Sequence, residues 1–354
     1  MTTTQLIRFR LQAQRLVTTH FTKPGEAVKW MGAVQAQDYL GALWSVGQRI
    51  KKSVESDIED AIAKKSIVRT WPMRGTLHFV APKDIRWMLK YLTPRVFTRI
   101  AGVLRKDNID DKVLTKSTKV LVKALEGGNM LTRDELYRAL EGAKIQTTGT
   151  RGLHIVGCVA QRGMICFGPR KAKQHTFVLL DEWLPSYPVP EREEALAELS
   201  IRYFTSHGPA TVDDFMWWTG LTKSDAMAGI RSAGGMLREV KVENRSYWLS
   251  PEAKPASSAK GIWLLPTYDE YGIAYKDRSD IISAEDYAKV GGPFTSAIVE
   301  DGKVIGLWRR TTQKESVRME VKSFDKFTKE QLAGIESTAD RYGTFVGKEA
   351  NIKY

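Results

Sequence analysis

The chain has 354 residues, with 54 Lys+Arg against 41 Asp+Glu for a formal net charge of +13, 42% hydrophobic residues and two cysteines. Such a length predicts two to three domains with cores of their own, and the composition excludes a disordered chain, a collagen and a disulfide-stapled miniprotein. No stretch reaches the ~18 apolar residues of a membrane span, two thiols are too few for a zinc-thiolate or iron–sulfur site, and the basic N-terminus lacks a signal peptide's apolar region, so a reduced cytoplasmic protein is expected.

Residues 1–80 read as helices near 5–20, 24–33, 39–48 and 56–65, the last opened by Ser56 to Glu59 as a capping box, and then as strands near 67–72 and 75–80. Further on, Lys116 to Leu125 is a helix stopped by Gly127-Gly128, and Thr132 to Glu135 is a capping box for the next. Arg151 to Gln161 is a third helix, followed by a hairpin from Gly163 to Gly168 and His175 to Leu180. The same order returns from Glu191 to Ser206, whose Leu196, Leu199, Tyr203 and Phe204 have helical spacing. His207-Gly208-Pro209-Ala210 breaks that helix, and Thr211 with Asp213 and Asp214 starts another by capping and dipole logic. A third runs through Ile230, before strands Met236 to Val242 and Tyr247 to Leu249 around the turn Glu243-Asn244-Arg245. Three helices followed by a β-hairpin make a winged helix. After the linker 250–258, strands are expected at Gly261 to Leu265, Thr295 to Glu300, Lys303 to Trp308 and Ser316 to Ser323. Asp301-Gly302 supplies a type I′ turn, and a helix runs from Thr328 to Tyr342.

The fold expected is therefore mainly α with short β wings: three tandem winged-helix units and a β-rich C-terminal module. The boundaries are 1–110 for the first unit, 111–188 and 189–255 for the others, and 256–354 for the module. Charge is divided unevenly among them. Residues 1–150 hold 26 Lys+Arg and 14 Asp+Glu, whereas 151–354 hold 28 and 27. A basic half attracts a polyanion, DNA or RNA above all; a solvated basic face is the bland alternative.

Many catalytic classes are missing. Gly343 to Lys348 has the wrong spacing for a P-loop, and Glu349 replaces its Ser/Thr. No GxGxxG follows a strand, and HExxH, the deaminase signature and GxSxG are absent. The five histidines are scattered, so no metal and no cofactor are expected.

One segment stands out, Ala33-Val34-Gln35-Ala36-Gln37-Asp38-Tyr39. In extended chain Gln35 and Gln37 project to one side, with Val34 and Ala36 toward the core; the bland reading is two polar residues entering a helix. Gln35-Ala36-Gln37-Asp38 is similar to the catalytic Gln-Φ-Gln motif of the HTH_42 superfamily of winged-helix DNA glycosylases, in its AlkZ-like version rather than the YcaQ-like one. Arg69 to His78 (RTWPMRGTLH) resembles the family's RxxxMRGTLH block. Gly163 to Arg170, Arg202 to Thr211 with Asp214-Phe215 and Trp217-Trp218, Leu264-Leu265-Pro266 with Asp269-Glu270-Tyr271 and Asp277-Arg278, and Asp301-Gly302 to Trp308-Arg309-Arg310 extend the likeness over essentially the whole chain.

That resemblance implies excision of alkylated bases, including bulky adducts and interstrand crosslinks, from double-stranded DNA by a monomer. Alkylation at purine N7 or N3 makes the base a cationic leaving group, so the enzyme has only to place a water and stabilise an oxocarbenium-like transition state. An amide accepts a water's hydrogens but is no base at pH 7. Gln37 is expected to hold the water with Gln35 in support, and Asp38 either adds negative charge or caps the next helix. With no lysine in the motif, no intrinsic lyase is expected. Arg69, Arg74, His78, Arg309 and Arg310 are the candidate DNA contacts, weighed against buried ion pairs, structural hydrogen bonds and solvated strand ends. Trp217, Trp218, Tyr39 and Trp44 read as core. Tolerance of bulky lesions predicts an open cleft in place of a closed base pocket. The competing function is a non-catalytic winged-helix DNA-binding protein or transcriptional regulator, to which a Gln-x-Gln pair offers nothing; RNA binding finds no RRM, KH or dsRBD signature.

Overall fold

A computed structural model describes residues 1–242, 245–290 and 295–354. In chain order the first elements are α1 (Thr3–Ala13), α2 (Pro24–Met31), β1 (Ala33–Gln35), α3 (Tyr39–Gly47), α4 (Glu55–Ala63), β2 (Val68–Met73), β3 (Thr76–Val80) and α5 (Ile85–Lys106). They are followed by α6 (Asp111–Leu125), β4 (Leu131–Thr132), α7 (Arg133–Gly142), α8 (Arg151–Gln161), β5 (Ile165–Phe167), β6 (Thr176–Leu179) and α9 (Leu180–Trp183). Next come α10 (Arg192–Ser206), α11 (Val212–Thr219), α12 (Lys223–Ala233), β7 (Arg238–Val242) and β8 (Arg245–Leu249). The C-terminal part has β9 (Ile262–Leu265), α13 (Glu270–Ile273), α14 (Ala284–Lys289), β10 (Ala297–Glu300), β11 (Lys303–Thr312), β12 (Ser316–Ser323), α15 (Lys329–Val346) and β13 (Glu349–Lys353).

The architecture is mixed α/β, with more sheet than short wings alone would give. Among the described residues one sheet has six strands in the order β1-β3-β2-β5-β6-β4, and another has five in the order β13-β12-β11-β10-β9. The hairpins expected as two separate wings, β2–β3 and β5–β6, are joined edge to edge where Arg69 pairs with Phe167. The β7–β8 hairpin forms a sheet by itself, and positions 243–244 of its expected turn lie outside the described residues.

Hydrophobic burial crosses the expected boundaries. Val34, Ala36, Trp44 and Phe79 share one core with Leu264, Trp308, Tyr342 and Phe345. The Trp44 indole donates to the Leu264 carbonyl at 2.7 Å, so α3 rests on the C-terminal sheet. A fully buried large apolar side chain contributes about 1.5–3 kcal/mol, and this cluster is what holds β1 in place. A second core joins Ala33 and Met88 to Leu199, Phe215 and Trp218. A third lies among α6, α7 and α8, around Leu121, Leu136 and Ile155.

The expected capping box at Thr132 is present, with Glu135 as its reciprocal partner, and the expected cap at Thr211 is a capping box with Asp214. The one expected at Ser56 is not present. Helix α4 begins a residue earlier, and Asp57 accepts from the Val54 N–H at 2.8 Å while Ser56 lies inside the helix. Helix α1 stops at Ala13, before Arg15 at φ 58°. No element is expected within residues 81–110. Instead α5 runs through Pro94 for 22 residues, with the Thr93 hydroxyl on the Leu89 carbonyl at 2.6 Å. Strand β13, parallel to β12, was also unanticipated, since its pairing depends on the chain's return along α15. Asp301 and Gly302 have φ values of 51° and 86°, both in the left-handed region a type I′ turn requires.

Candidate active site

The motif leaves the core as an edge strand. β1 pairs antiparallel with β3, Val34 opposite Phe79 and Gln35 opposite His78, and the Ala36 N–H extends the ladder to the Leu77 carbonyl at 2.7 Å. Extended geometry turns Val34 and Ala36 into the core, at 1% and 0% exposure. The other face is uneven: Gln37 is exposed, whereas Gln35 is 7% exposed. Gln37 Oε1 accepts from the Leu77 N–H at 3.2 Å. That donor orients the amide, leaving the second lone pair of Oε1 and the NH2 group for other partners.

Four anchors hold the segment. Arg69 donates to the Ala36 carbonyl from Nε at 3.2 Å and Nη2 at 2.8 Å. Asp38 caps α3 through the Gly41 N–H at 3.2 Å, and Arg310 Nη2 reaches both its oxygens at 3.1 and 2.9 Å. Glu270 Oε1 accepts from the Gln35 N–H at 2.8 Å. Its Oε2 accepts from the Trp218 indole at 2.8 Å, and His207 Nε2 stands 3.6 Å away, beyond hydrogen-bond length. Burial alone would raise the pKa of this fully enclosed carboxyl. His207 and the Gln35 N–H outweigh that and hold it below the usual range, so it is ionised. The neighbouring Asp269 takes Arg49 Nη1 and Nη2 at 2.8 and 2.9 Å and the Ser45 hydroxyl at 2.6 Å, fixing α3 to the start of α13.

Several expected DNA contacts are engaged elsewhere. Arg69 is 4% exposed, with its guanidinium 5.0 Å from the Tyr39 ring and 4.6 Å from that of Phe167. Burial pulls its pKa down to about 10, which leaves it charged at neutral pH but committed to Ala36 and out of a phosphate's reach. His78 is fully buried: Nδ1 donates to the Thr76 carbonyl at 2.9 Å and Nε2 accepts from Arg74 Nη2 at 3.3 Å. Burial and the Arg74 charge press its pKa down to about 3, so it is neutral and enclosed and makes no contact with solvent. Arg310 is tied to Asp38, which neutralises the negative charge that Asp38 was expected to offer. Arg309 is exposed, and Arg74 is half-buried in the β2–β3 turn. Trp44 and Trp218 are core, as expected, but Trp217 is 38% exposed.

Glu270 and Asp269 were missed as site residues. Their only sequence signal was the Asp-Glu-Tyr triplet within the resemblance, and 235 residues separate Glu270 from Gln35. Neither glutamine lines any of the five cavities described, and Gln37 is exposed at the surface. No cluster of three or more His, Cys, Asp or Glu suited to a metal exists among the described residues, and none of their helices is long and apolar enough to cross a membrane.

A family model described as DNA glycosylase AlkZ-like matches residues 28–345. The chain is similar to the interstrand DNA cross-link repair glycosylase of Streptomyces sahachiroi, at 27% identity over 91% of this chain and 93% of that protein. Its fold is similar to the solved structure of the Streptomyces sahachiroi DNA glycosylase AlkZ, with a TM-score of 0.81 at 22% identity, covering 100% of this chain and 99% of that one.

Proposed function

The chain belongs to the AlkZ-like DNA glycosylase family, and on that premise we propose that it is a monofunctional enzyme that excises cationic N7- or N3-alkylated purines from duplex DNA. Bulky adducts and interstrand crosslinks fall within the same chemistry, and a similar protein is named for repair of crosslinks. The observation that carries the reading is Gln37: an exposed neutral amide at the end of a strand that is otherwise buried and clamped.

The mechanism asks little proton transfer of the protein. The alkylated base leaves as a neutral molecule once the C1′–N bond stretches, and positive charge builds on the sugar. A water that donates one hydrogen to the free lone pair of Gln37 Oε1 presents its own lone pair to C1′. Gln35, one step back on the same face, lines the approach. The water's proton passes to solvent, since neither amide accepts it at pH 7. The rigid backbone around Ala36 keeps the water's position constant between lesions, and this orientation is the protein's main contribution.

An open surface at Gln37 suits substrates that no closed pocket would admit. The protein acts as a monomer in the cytoplasm, on the nucleoid, with three winged-helix units and the C-terminal module arranged about one lesion. Arg309 and Arg74 are its proposed phosphate contacts, Arg69, Arg310 and His78 its supports. Product analysis tests the reading. A duplex with a single N7-methylguanine should yield free 7-methylguanine and an abasic strand that breaks only on alkaline treatment. Strand cleavage without alkali would contradict the monofunctional assignment, and duplex binding with no base release would favour a non-catalytic DNA-binding protein.

A further inference from the structure

A cavity of about 400 Å³ is lined by Arg74, which bonds His78, and by Arg95, Arg99, Trp217, Gly220 and Lys276. Its charge is not balanced from within. Asp213, the carboxylate at its rim, lies 3.2 Å from Lys276. The three guanidinium groups form no ion pair among the described residues. Arg95 Nε and Arg99 Nη2 donate only to the Gly220 carbonyl, at 2.8 and 3.4 Å, and Arg74 donates to His78. The Nε of Arg74 is buried with no partner among the described residues. Three like charges at one concavity repel one another, and burial together with Arg99 draws the pKa of Arg74 down against the opposing pull of Glu270.

The backbone is shaped to keep this arrangement. Arg74 and Gly75 form the two-residue turn between β2 and β3 with φ values of 57° and 79°, where Asn or Gly would be comfortable and an arginine is strained. Gly220 ends α11 at φ 78°, and a Cβ there would come within 3.3 Å of Arg74 Cγ and 3.4 Å of Arg99 Nη1. A glycine at that position thus leaves room for the guanidinium groups, and its carbonyl aims two of them. Planar forks without carboxylate partners match the paired oxygens of a phosphate. The placement selects which phosphate: Arg74 bonds His78, and His78 is the ladder partner of Gln35.

We propose that Arg74, Arg95 and Arg99 form a phosphodiester subsite that grips the DNA backbone next to the lesion and sets the register of C1′ against Gln37. This rests on the glycosylase reading and extends it to residues on α5, the helix that follows the β2–β3 hairpin. The experiment measures binding, not excision, so that the two readings fail separately. Wild type and the double variant Arg95→Ala/Arg99→Ala are titrated with duplexes carrying a stable abasic-site analogue, at several salt concentrations. Single neutral methylphosphonates are placed in turn along the lesion strand. For wild type, one methylphosphonate flanking the lesion should weaken binding about tenfold; for the double variant that same position should cost nothing further, and the salt slope should fall by about 1–2. Unchanged slope and unchanged methylphosphonate sensitivity would overturn the proposal, whatever the excision activity. If the alanine variant does not fold, Arg95→Lys/Arg99→Lys keeps the charge and loses the forks, and the methylphosphonate effect should still shrink. Millimolar inorganic phosphate provides the other arm. Stabilisation of wild type but not of the variant, with the DNA salt slope unaltered, would assign the cavity to a free anion and overturn the DNA assignment.

Discussion

Gln37, just past the end of β1, and His78 on the adjoining β3 are chemically opposite: one amide meets solvent and one imidazole is sealed from it. The enclosure of His78 has a consequence for pH. Its ordinary pKa of 6.5 falls to about 3 in the folded chain. Above pH 6.5 both folded and unfolded states hold it neutral, and no stability depends on pH through this group. Below 6.5 the unfolded chain binds a proton that the folded chain refuses, so stability falls as the pH is lowered from 6.5 toward 3, by up to about 1.4 kcal/mol per unit. His175, drawn down to about 4 by burial and by Arg69 and Arg170, adds to the slope over the upper part of that window. Denaturant titrations between pH 7 and 4.5 should show this slope reduced by about one proton in His78→Gln. An unchanged slope would mean that His78 is protonated in the folded protein. At this scale the sequence was a partial guide. The Gln-x-Gln pair could be singled out from its spacing and resemblance, but nothing in the RxxxMRGTLH block separates an arginine on a phosphate from one on a backbone carbonyl. Arg69 and His78 have the right chemistry for DNA, and burial assigns them to structure.

The elements show why. β1 is only three residues long, and such a strand is held by what surrounds it more than by its own ladder. Arg69 comes from β2, Leu77 from β3, Arg310 from β11 and Glu270 from α13. Local patterns located β2, β3 and β11, because caps, glycine stops and alternating strands act over a few residues, but not the short α13. They missed α5, where Thr93 and the packing of Trp87, Met88, Leu92 and Val96 carry the helix through Pro94. They also missed Glu270, whose role depends on contacts distant in sequence. Glu270→Ala leaves the Gln35 N–H and the Trp218 indole N–H buried without acceptors, at a cost of about 2–5 kcal/mol in total. Glu270→Gln retains an acceptor for Gln35 and should lose less, with a correspondingly higher denaturation midpoint. Equal loss from both substitutions, measured by urea unfolding, would show that the carboxylate's charge matters more than its hydrogen bond to the motif.

Across the whole molecule, the lopsided charge and the fold meet at one place. The basic 1–150 segment, with 26 Lys+Arg against 14 Asp+Glu, carries both the glutamine motif and the arginines of α5. The nearly neutral remainder closes the core beneath them through Trp308, Tyr342 and Phe345. The sequence displayed this division of charge but not its joining, since the cores run between segments more than 200 residues apart. The six-stranded sheet was likewise invisible, because its seam is the single pairing of Arg69 with Phe167. The central claim is that this assembly holds one neutral amide rigidly enough to place a water at C1′. Single-turnover excision of N7-methylguanine and of a nitrogen-mustard crosslink, compared between wild type and Gln37→Ala at saturating enzyme, tests it most directly. The account predicts a fall of about 100-fold or more in the rate of base release on both substrates, with duplex affinity changed less than about threefold, as loss of an orienting group entails. Excision at the wild-type rate by Gln37→Ala would contradict it and put the reacting water elsewhere.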